Sequence, residues 1–416
     1  MGGADRGTAA KVKPAGRGEP VLWLLMAAFI AYGSLYPFRF HLAGGNLAHL
    51  MGTWRHWDHP SDLLSNILLY MPFGFLGARA LPHRFGGALA LASGVLLSTA
   101  MELTQFYDQG RDSTLGDVYA NAIGTAAGVA VAGILGIGQR WELLRALGTD
   151  EPGSVVLAAW FAYRLYPYVP TIDWHKYAHA LAALVTGPWP DLQDSARFLI
   201  AWLLVAALTK ALWGPGRARF VFVLLAGTEF VGRVLIIDTA PRLKDLAGAA
   251  GAFLVWRLVP SGPGNRLRLL AVAMALLVLA ERLAPFQFAP HPLRTFGWVP
   301  GLSLMVGSID VAMQALCEKL FTYGGLIWLG WRGGLMLGPA TIGAAVLLAV
   351  TSYAQVWLPD RSAEVTDAVL ALIIGGVFRL LERPAGLHCG GTGAASLCPQ
   401  ALKSLKAPIS RPEGRD

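Results

Sequence analysis

Apolar runs long enough to cross a bilayer recur along the whole chain. They lie near residues 21–38, 62–80, 86–106, 116–137, 154–168, 194–213, 217–238, 243–260, 266–285, 311–330, 337–357 and 364–382. A spanning helix needs about 20 mainly apolar residues. Within hydrocarbon, only a helix or a closed barrel satisfies its own backbone donors and acceptors. Period-two alternation bounded by turns is absent, which excludes a barrel. The expected fold is all-α and polytopic, with about twelve transmembrane helices, the run at 154–168 being the shortest.

Composition points the same way. Hydrophobic residues make up 55% of the 416 and charged residues 14%, against about 25% charged in a soluble domain. So few charges cannot cover a water-facing surface of this size, and the membrane lipid bilayer becomes the main partner. The net charge of +8 raises nucleic acid as a partner. However, Lys and Arg sit mostly in short loops, with no basic stretch interleaved with exposed aromatics, so no nucleic-acid binding is expected.

Loop charge instead sets topology. With a cytoplasmic N-terminus, 21 Lys and Arg fall inside and 12 outside, which places both termini in the cytoplasm. Residues 1–20, with Arg6, Lys11, Lys13 and Arg17, read as a polar cytoplasmic tail. The run from Val21 reads as an uncleaved helix, because no small-x-small cleavage site closes it. Residues 383–416 read as a flexible cytoplasmic tail containing Cys389 and Cys398. Two thiols and the adjoining His388 leave a zinc shell short, so no metal is expected. Cys317 reads as a small core residue. No Gly-rich phosphate loop and no Ser-His-Asp order is present, and no cofactor is expected.

Three runs end in similar words: Ser-Leu-Tyr-Pro-Phe at 34–38, Arg-Leu-Tyr-Pro-Tyr at 164–168 and Arg-Leu-Ala-Pro-Phe at 282–286. An aspartate follows each proline by a similar interval, as Asp117 follows Pro37, Asp245 follows Pro167 and Asp367 follows Pro285. Asp62 and Asn66 stand after Pro37 as Asp310 and Gln314 stand after Pro285. Gln105, Arg111 and Asp117 share their spacing with Gln355, Arg361 and Asp367. The second stretch is looser, offering Glu229, Arg242 and Asp245. Such self-similarity predicts three four-helix repeats, at 21–140, 154–260 and 266–382. An even helix number makes the repeats parallel rather than inverted.

Polar residues inside membrane helices are costly and therefore mark candidate sites. In the first repeat, Asp62 and Asn66 fall four apart. Gly94, Ser98, Glu102 and Gln105 form one helical stripe, and Asp117, Asn121, Gly124 and Gly128 form another. Joined by a short hairpin, the two stripes are expected to face each other, with Arg111 reaching Glu102 or Asp117 as a charge-assisted partner. An arginine among carboxylates can simply lock a hairpin. Seven polar groups (Asp62, Asn66, Glu102, Gln105, Arg111, Asp117 and Asn121) exceed what one hairpin requires, and they are the candidate ligand-binding residues. The outer loop around His175, Lys176 and His179 reads as solvated, and Trp174 and Trp298 read as interfacial anchors.

These residues carry a resemblance. Ser34-Leu-Tyr-Pro37, Asp62-x-x-x-Asn66-Ile-Leu-Leu-Tyr-Met-Pro72-Phe-Gly74, and the series Glu102, Gln105, Arg111, Asp117, Asn121, Gly124 and Gly128 are similar to the VanZ-like family of bacterial membrane proteins. The likeness covers about residues 20–140. The third repeat resembles it less, having Ser352 for the glutamate and Ala371 for the asparagine. The resemblance implies a bacterial cytoplasmic membrane protein. The family's name comes from a low-level teicoplanin resistance determinant, and similar proteins are associated with envelope polysaccharide loci.

The function expected is therefore an envelope factor that binds a lipid-linked glycan or glycopeptide-like ligand at an outer-face polar site. The alternative is a membrane-embedded hydrolase or transferase using Glu102 and Asp117 as paired carboxylates. Catalytic residues and protein partners are not legible in the sequence.

Overall fold

A computed structural model of the protein describes residues 18–36, 38, 40, 60–81, 85–105, 107, 114–138, 150–187, 191–258, 262–301 and 309–382. Pro37, Arg111, the N-terminal tail and the cysteines at 389 and 398 lie outside these residues, as do the side chains of Asp62 and Asp310. Twelve α-helices run through the described residues. They are α1 (Gly18–Leu35), α2 (Pro60–Ala80), α3 (Gly86–Gln105), α4 (Leu115–Gly138), α5 (Glu151–Arg164), α6 (Trp174–Thr186), α7 (Leu192–Leu235), α8 (Leu243–Leu258), α9 (Pro263–Leu283), α10 (Ile309–Arg332), α11 (Leu337–Ala354) and α12 (Thr366–Leu381). No strand is formed among them.

Two departures from the apolar pattern have local causes. The runs expected at 194–213 and 217–238 are two helices that abut at a kink with no loop between them, and they are numbered together as α7. The joint is Gly214, at φ 72° and ψ 168°, followed by Pro215. Glycine accepts the positive φ, and proline suits the first turn of a helix because it needs no N–H partner there. The second departure is α6, which the sequence presents as loop. Asp173 caps it by accepting from the His175 N–H at 2.9 Å. Lys176 Nζ donates to the Arg233 carbonyl at 3.0 Å and also to that of Val234. Instead of standing in solvent, it covers open carbonyls at the end of α7.

Among the described residues, six segments are long and apolar enough to cross a membrane: Gly18–Leu35, Leu63–Ala80, Gly86–Gln105, Leu115–Ile134, Gln193–Leu235 and Leu337–Trp357. Large apolar side chains stand exposed on helices throughout the chain, Leu96, Phe220, Leu269 and Val350 among them. So broad an apolar surface needs lipid as its solvent. The protein is a multi-pass helical membrane protein.

Lipid tails are as apolar as leucine, so helices here are joined by close packing and polar contacts rather than by hydrophobic drive. The closest approach is α2 on α4. A β-carbon on Gly74 would stand 2.1 Å from the Thr125 carbonyl oxygen; on Gly124, 2.3 Å from that of Ile67; on Gly128, 2.0 Å from that of Met71. This corrects the expected pairing of stripes. Ser98 and Gly94 on α3 do meet Asn121 and Thr125 on α4, but Gly124 and Gly128 turn to α2. Helix α4 is therefore held between α2 and α3.

A small buried cluster of Ile30, Tyr70 and Phe73 ties α1 to α2. A much larger one, centred on Trp160, Trp202 and Trp328, runs through α5 and α7–α12. The chain through Leu381 forms one unit. Within it Gly18 of α1 lies against the Leu380 carbonyl of α12.

Candidate functional site

The polar residues of α1–α4 meet where α1 and α3 end and α2 and α4 begin. Their positions follow from helix direction: four antiparallel neighbours bring two C-termini and two N-termini to one end. Thr114 starts α4. Its Oγ1 accepts from the Asp117 N–H at 3.2 Å, as an N-cap residue should, and donates to Asp117 Oδ2 at 3.0 Å. The Thr114 N–H donates at 3.0 Å to Glu102 Oε2 on α3. A carboxylate from another helix thus takes the place that the third helical residue's side chain fills in a capping box. Both carboxylates sit at the positive end of the α4 dipole.

Asn66, on α2, donates its side-chain amide to Asp117 Oδ1. Deeper in, Asn121 Nδ2 donates to Ser98 Oγ at 2.9 Å, and Thr125 Oγ1 donates back to the Asn121 carbonyl at 2.8 Å. Ser98, Glu102, Asn121 and Thr125 are all buried. The Asn121 Oδ1 is buried as well and accepts no hydrogen bond among the described residues. Gln105 leaves this group, donating at 2.7 Å to the Ser34 main-chain carbonyl at the end of α1. The structure therefore gathers Asn66, Glu102, Asp117 and Asn121, sets Gln105 on their α1 side, and describes neither the Arg111 contact nor the Asp62 side chain.

The ends of α5–α8 and α9–α12 at which α5 and α9 stop also hold polar groups, with one addition that sequence reading passed over. Arg164 at the end of α5 pairs with Glu229 and Asp245. Arg233 joins them, 2.6 Å from Asp245. Arg282 at the end of α9 pairs with Asp367, and donates to Thr351 Oγ1 at 2.7 Å and Ser352 Oγ at 2.6 Å. Lys319 stands 2.8 Å from the other oxygen of Asp367. Each arginine precedes its proline by three residues, and Ser34 holds that place before Pro37. The signal was an arginine inside an apolar run, where an unpaired charge is costly.

Three contacts differ from what spacing suggested. Gln314 reaches the Tyr163 carbonyl at 3.5 Å instead of Asp367. Arg361 donates through Nε and Nη2 to the Ala284 carbonyl at 3.0 and 2.7 Å, not to a carboxylate. Arg242 contributes its main-chain N–H, which donates to Asp245 Oδ2 at 3.0 Å.

Comparison with known proteins bears on the first four helices. Residues 21–136 match the model of the VanZ/LLP1 family. No curated protein and no solved structure matches the chain. The matched segment runs from α1 into the last turn of α4 and contains Asn66, Ser98, Glu102, Gln105, Asp117, Asn121 and Thr125. The chain is a polytopic helical membrane protein whose first four helices are similar to the VanZ/LLP1 family over residues 21–136.

Proposed function

We propose that the polar end of α1–α4 binds the headgroup of a lipid-linked glycan or a glycopeptide-like ligand, in envelope polysaccharide handling or glycopeptide tolerance. The observation that carries this reading is the buried Asn121 Oδ1. An acceptor left unpaired out of water costs about 1–3 kcal/mol, and a ligand hydroxyl or amide would supply its donor. Glu102 and Asp117 stand nearby as further acceptors suited to sugar hydroxyls. Loop charge puts this end at the outer face of a bacterial cytoplasmic membrane, with both termini inside.

The hydrolase or transferase reading needs one carboxylate to hold and release a proton. Both carboxylates here accept hydrogen bonds that build the start of α4. That duty favours binding over acid–base work.

We also infer that α5–α8 and α9–α12 are parallel copies of α1–α4 that have lost the glycan-binding function proposed for the first unit. Phe38, Tyr168 and Phe286, each following its proline, all adopt φ 62°, a left-handed conformation that bulky residues rarely take. Gln355 donates to the Arg282 carbonyl at 2.9 Å as Gln105 does to that of Ser34. Asp238 and Asp360, seven residues before Asp245 and Asp367, both have positive φ, 54° and 52°. In the first unit that interval falls on Gly110. This alignment places Thr239, not Arg242, opposite Arg111 and Arg361. Arginines 164 and 282 would fill with protein charge the space that Ser34 leaves to a ligand.

The test is a deletion strain complemented by Glu102→Gln, with thin-layer analysis of its lipid-linked intermediates. A binding site keeps function with the amide, and the deletion accumulates a lipid-linked saccharide. Loss of function at normal membrane abundance would favour the enzyme, and an unchanged lipid profile in the deletion would sink the glycan reading.

A further inference from the structure

Two cavities open side by side between α7, α9 and α10, away from α1–α4. One, of about 310 Å³, lies between the start of α7 and the end of α9. The other, of about 320 Å³, continues along α9 and α10 to the turn before α12. Glu281 and Arg361 line both, so the two form one cleft.

Its charges are mostly spent on each other. Arg197 pairs with Glu318 and approaches Glu281 at 3.3 Å. Arg282 and Lys319 pair with Asp367. Two charges at the junction remain poorly matched. The buried Oε1 of Glu281 accepts no hydrogen bond among the described residues, and the Arg197 Nε that approaches it at 3.3 Å belongs to a guanidinium already paired with Glu318. Arg361 spends Nε and Nη2 on the Ala284 carbonyl and pairs with no carboxylate among the described residues. Glu281 and Arg361 face the same space, yet no ion pair joins them. The linings together carry six carboxylates and four cations. Even with Lys244, which pairs with Asp194 at 2.6 Å from outside the lining, the carboxylates exceed the cations by one.

A metal ion is not the obvious counter-charge, since no group of three or more His, Cys, Asp or Glu among the described residues is placed to hold one. An organic cation remains. A compact ammonium offers three donors to a carboxylate, and an anion beside it would meet a guanidinium, the usual partner of phosphate and carboxylate groups.

We propose that this cleft is a second binding site, taking a zwitterion whose primary ammonium lies against Glu281 and whose phosphate or carboxylate lies against Arg361. The chemistry is shared by an aminophospholipid headgroup and a free amino-phosphate. It is independent of the reading given for α1–α4, because no residue of that unit lines the cleft.

The full-length protein, purified in detergent, is the material for the test. Native mass spectrometry follows retention of phosphatidylethanolamine, phosphatidylcholine and phosphatidylglycerol. Thermal unfolding follows free phosphoethanolamine, phosphocholine and ethanolamine. The amine-bearing probes bind, their trimethylated counterparts bind at least tenfold more weakly, and removing the phosphate from phosphoethanolamine weakens it. Binding of the lipid alone assigns the source as a headgroup; binding of the free compound assigns a soluble ligand. Glu281→Gln lowers affinity at least tenfold while Arg197–Glu318 keeps the helices joined. Should that variant fail to fold, the amine-against-trimethyl comparison on the unaltered protein decides alone. Equal binding of the trimethylated probes, or binding of none, overturns the proposal.

Discussion

Gln355 donates its side-chain amide at 2.9 Å to the main-chain carbonyl of Arg282, the residue whose guanidinium pairs with Asp367. Its counterpart Gln105 holds Ser34 in the same way at 2.7 Å, but Ser34 has no charge to offer. In the second and third helix sets the buried aspartate at the start of the last helix is neutralised by an arginine from the first helix. In the first set the half-buried Asp117 accepts from Asn66 and Thr114. That difference at one position sets the first prediction.

Ser34→Arg should introduce into α1–α4 the arginine of the other two sets. Its guanidinium would reach toward Glu102 and Asp117, as Arg164 reaches Glu229 and Asp245. The expected result is normal membrane abundance with loss of complementation. Full activity at normal abundance would show that the space beside Ser34 is not used by a ligand.

Arg164 is expected to be structural. Its side chain is 8% exposed and lies between two carboxylates that are 3% and 2% exposed. Arg164→Leu should cost about 3–5 kcal/mol, the usual penalty for leaving buried charge uncompensated. Arg164→Leu combined with Glu229→Leu should recover part of that loss, because Arg233 and Asp245 remain a neutral pair. Thermal unfolding in detergent measures both; a double variant no better than the single would refute the charge argument.

Close backbone approach makes Gly128 sensitive. A β-carbon there meets the Met71 carbonyl oxygen and the Phe75 nitrogen, neither of which can rotate away. Gly128→Ala should destabilise by about 1–3 kcal/mol or more, as overpacking does. Gly133, on the same helix with nothing within 4 Å, should accept alanine with no loss or a slight gain. Equal effects at the two positions would mean that α2 and α4 are not packed backbone to backbone.

Topology is tested by fusion. Alkaline phosphatase placed after Ser113 should be active, since that end is assigned outside, and inactive after Thr149. The reverse pair of results would put the polar end of α1–α4 in the cytoplasm and remove the outer-face ligand.

How much of this was legible beforehand depends on the physics at each residue. The helices at 60–80, 86–105 and 115–138 fall within a few residues of the apolar runs, because an apolar run of that length in lipid has one way to satisfy its backbone. The loop read around His175 was a helix instead: its apolar run, residues 180–185, is too short to signal a spanning segment. The residues that gather at the first polar end were also readable, since Ser98, Glu102 and Asn121 are too costly to bury without partners.

Their partners were not. Spacing aligned Gln314 with Asn66 and Arg361 with Arg111, yet Gln314 reaches Tyr163 and Arg361 reaches Ala284. Hydrogen-bond partners depend on which helices become neighbours and on side-chain reach, and neither is encoded in an interval along one chain. The glycines on α4 pose the same problem. Their positions announce a close helix contact, but only the packed bundle decided that α2, and not α3, would fill it.

By itself, the sequence determined the solvent, most of the helices, the VanZ-like likeness of the first four and the places where charge would be buried. Tertiary structure decided which arginine met which carboxylate, where α4 sits, and that a cleft opens beside Glu281 and Arg361. The reason is that burial cost belongs to each residue alone, whereas its compensation belongs to whatever residue the fold brings alongside.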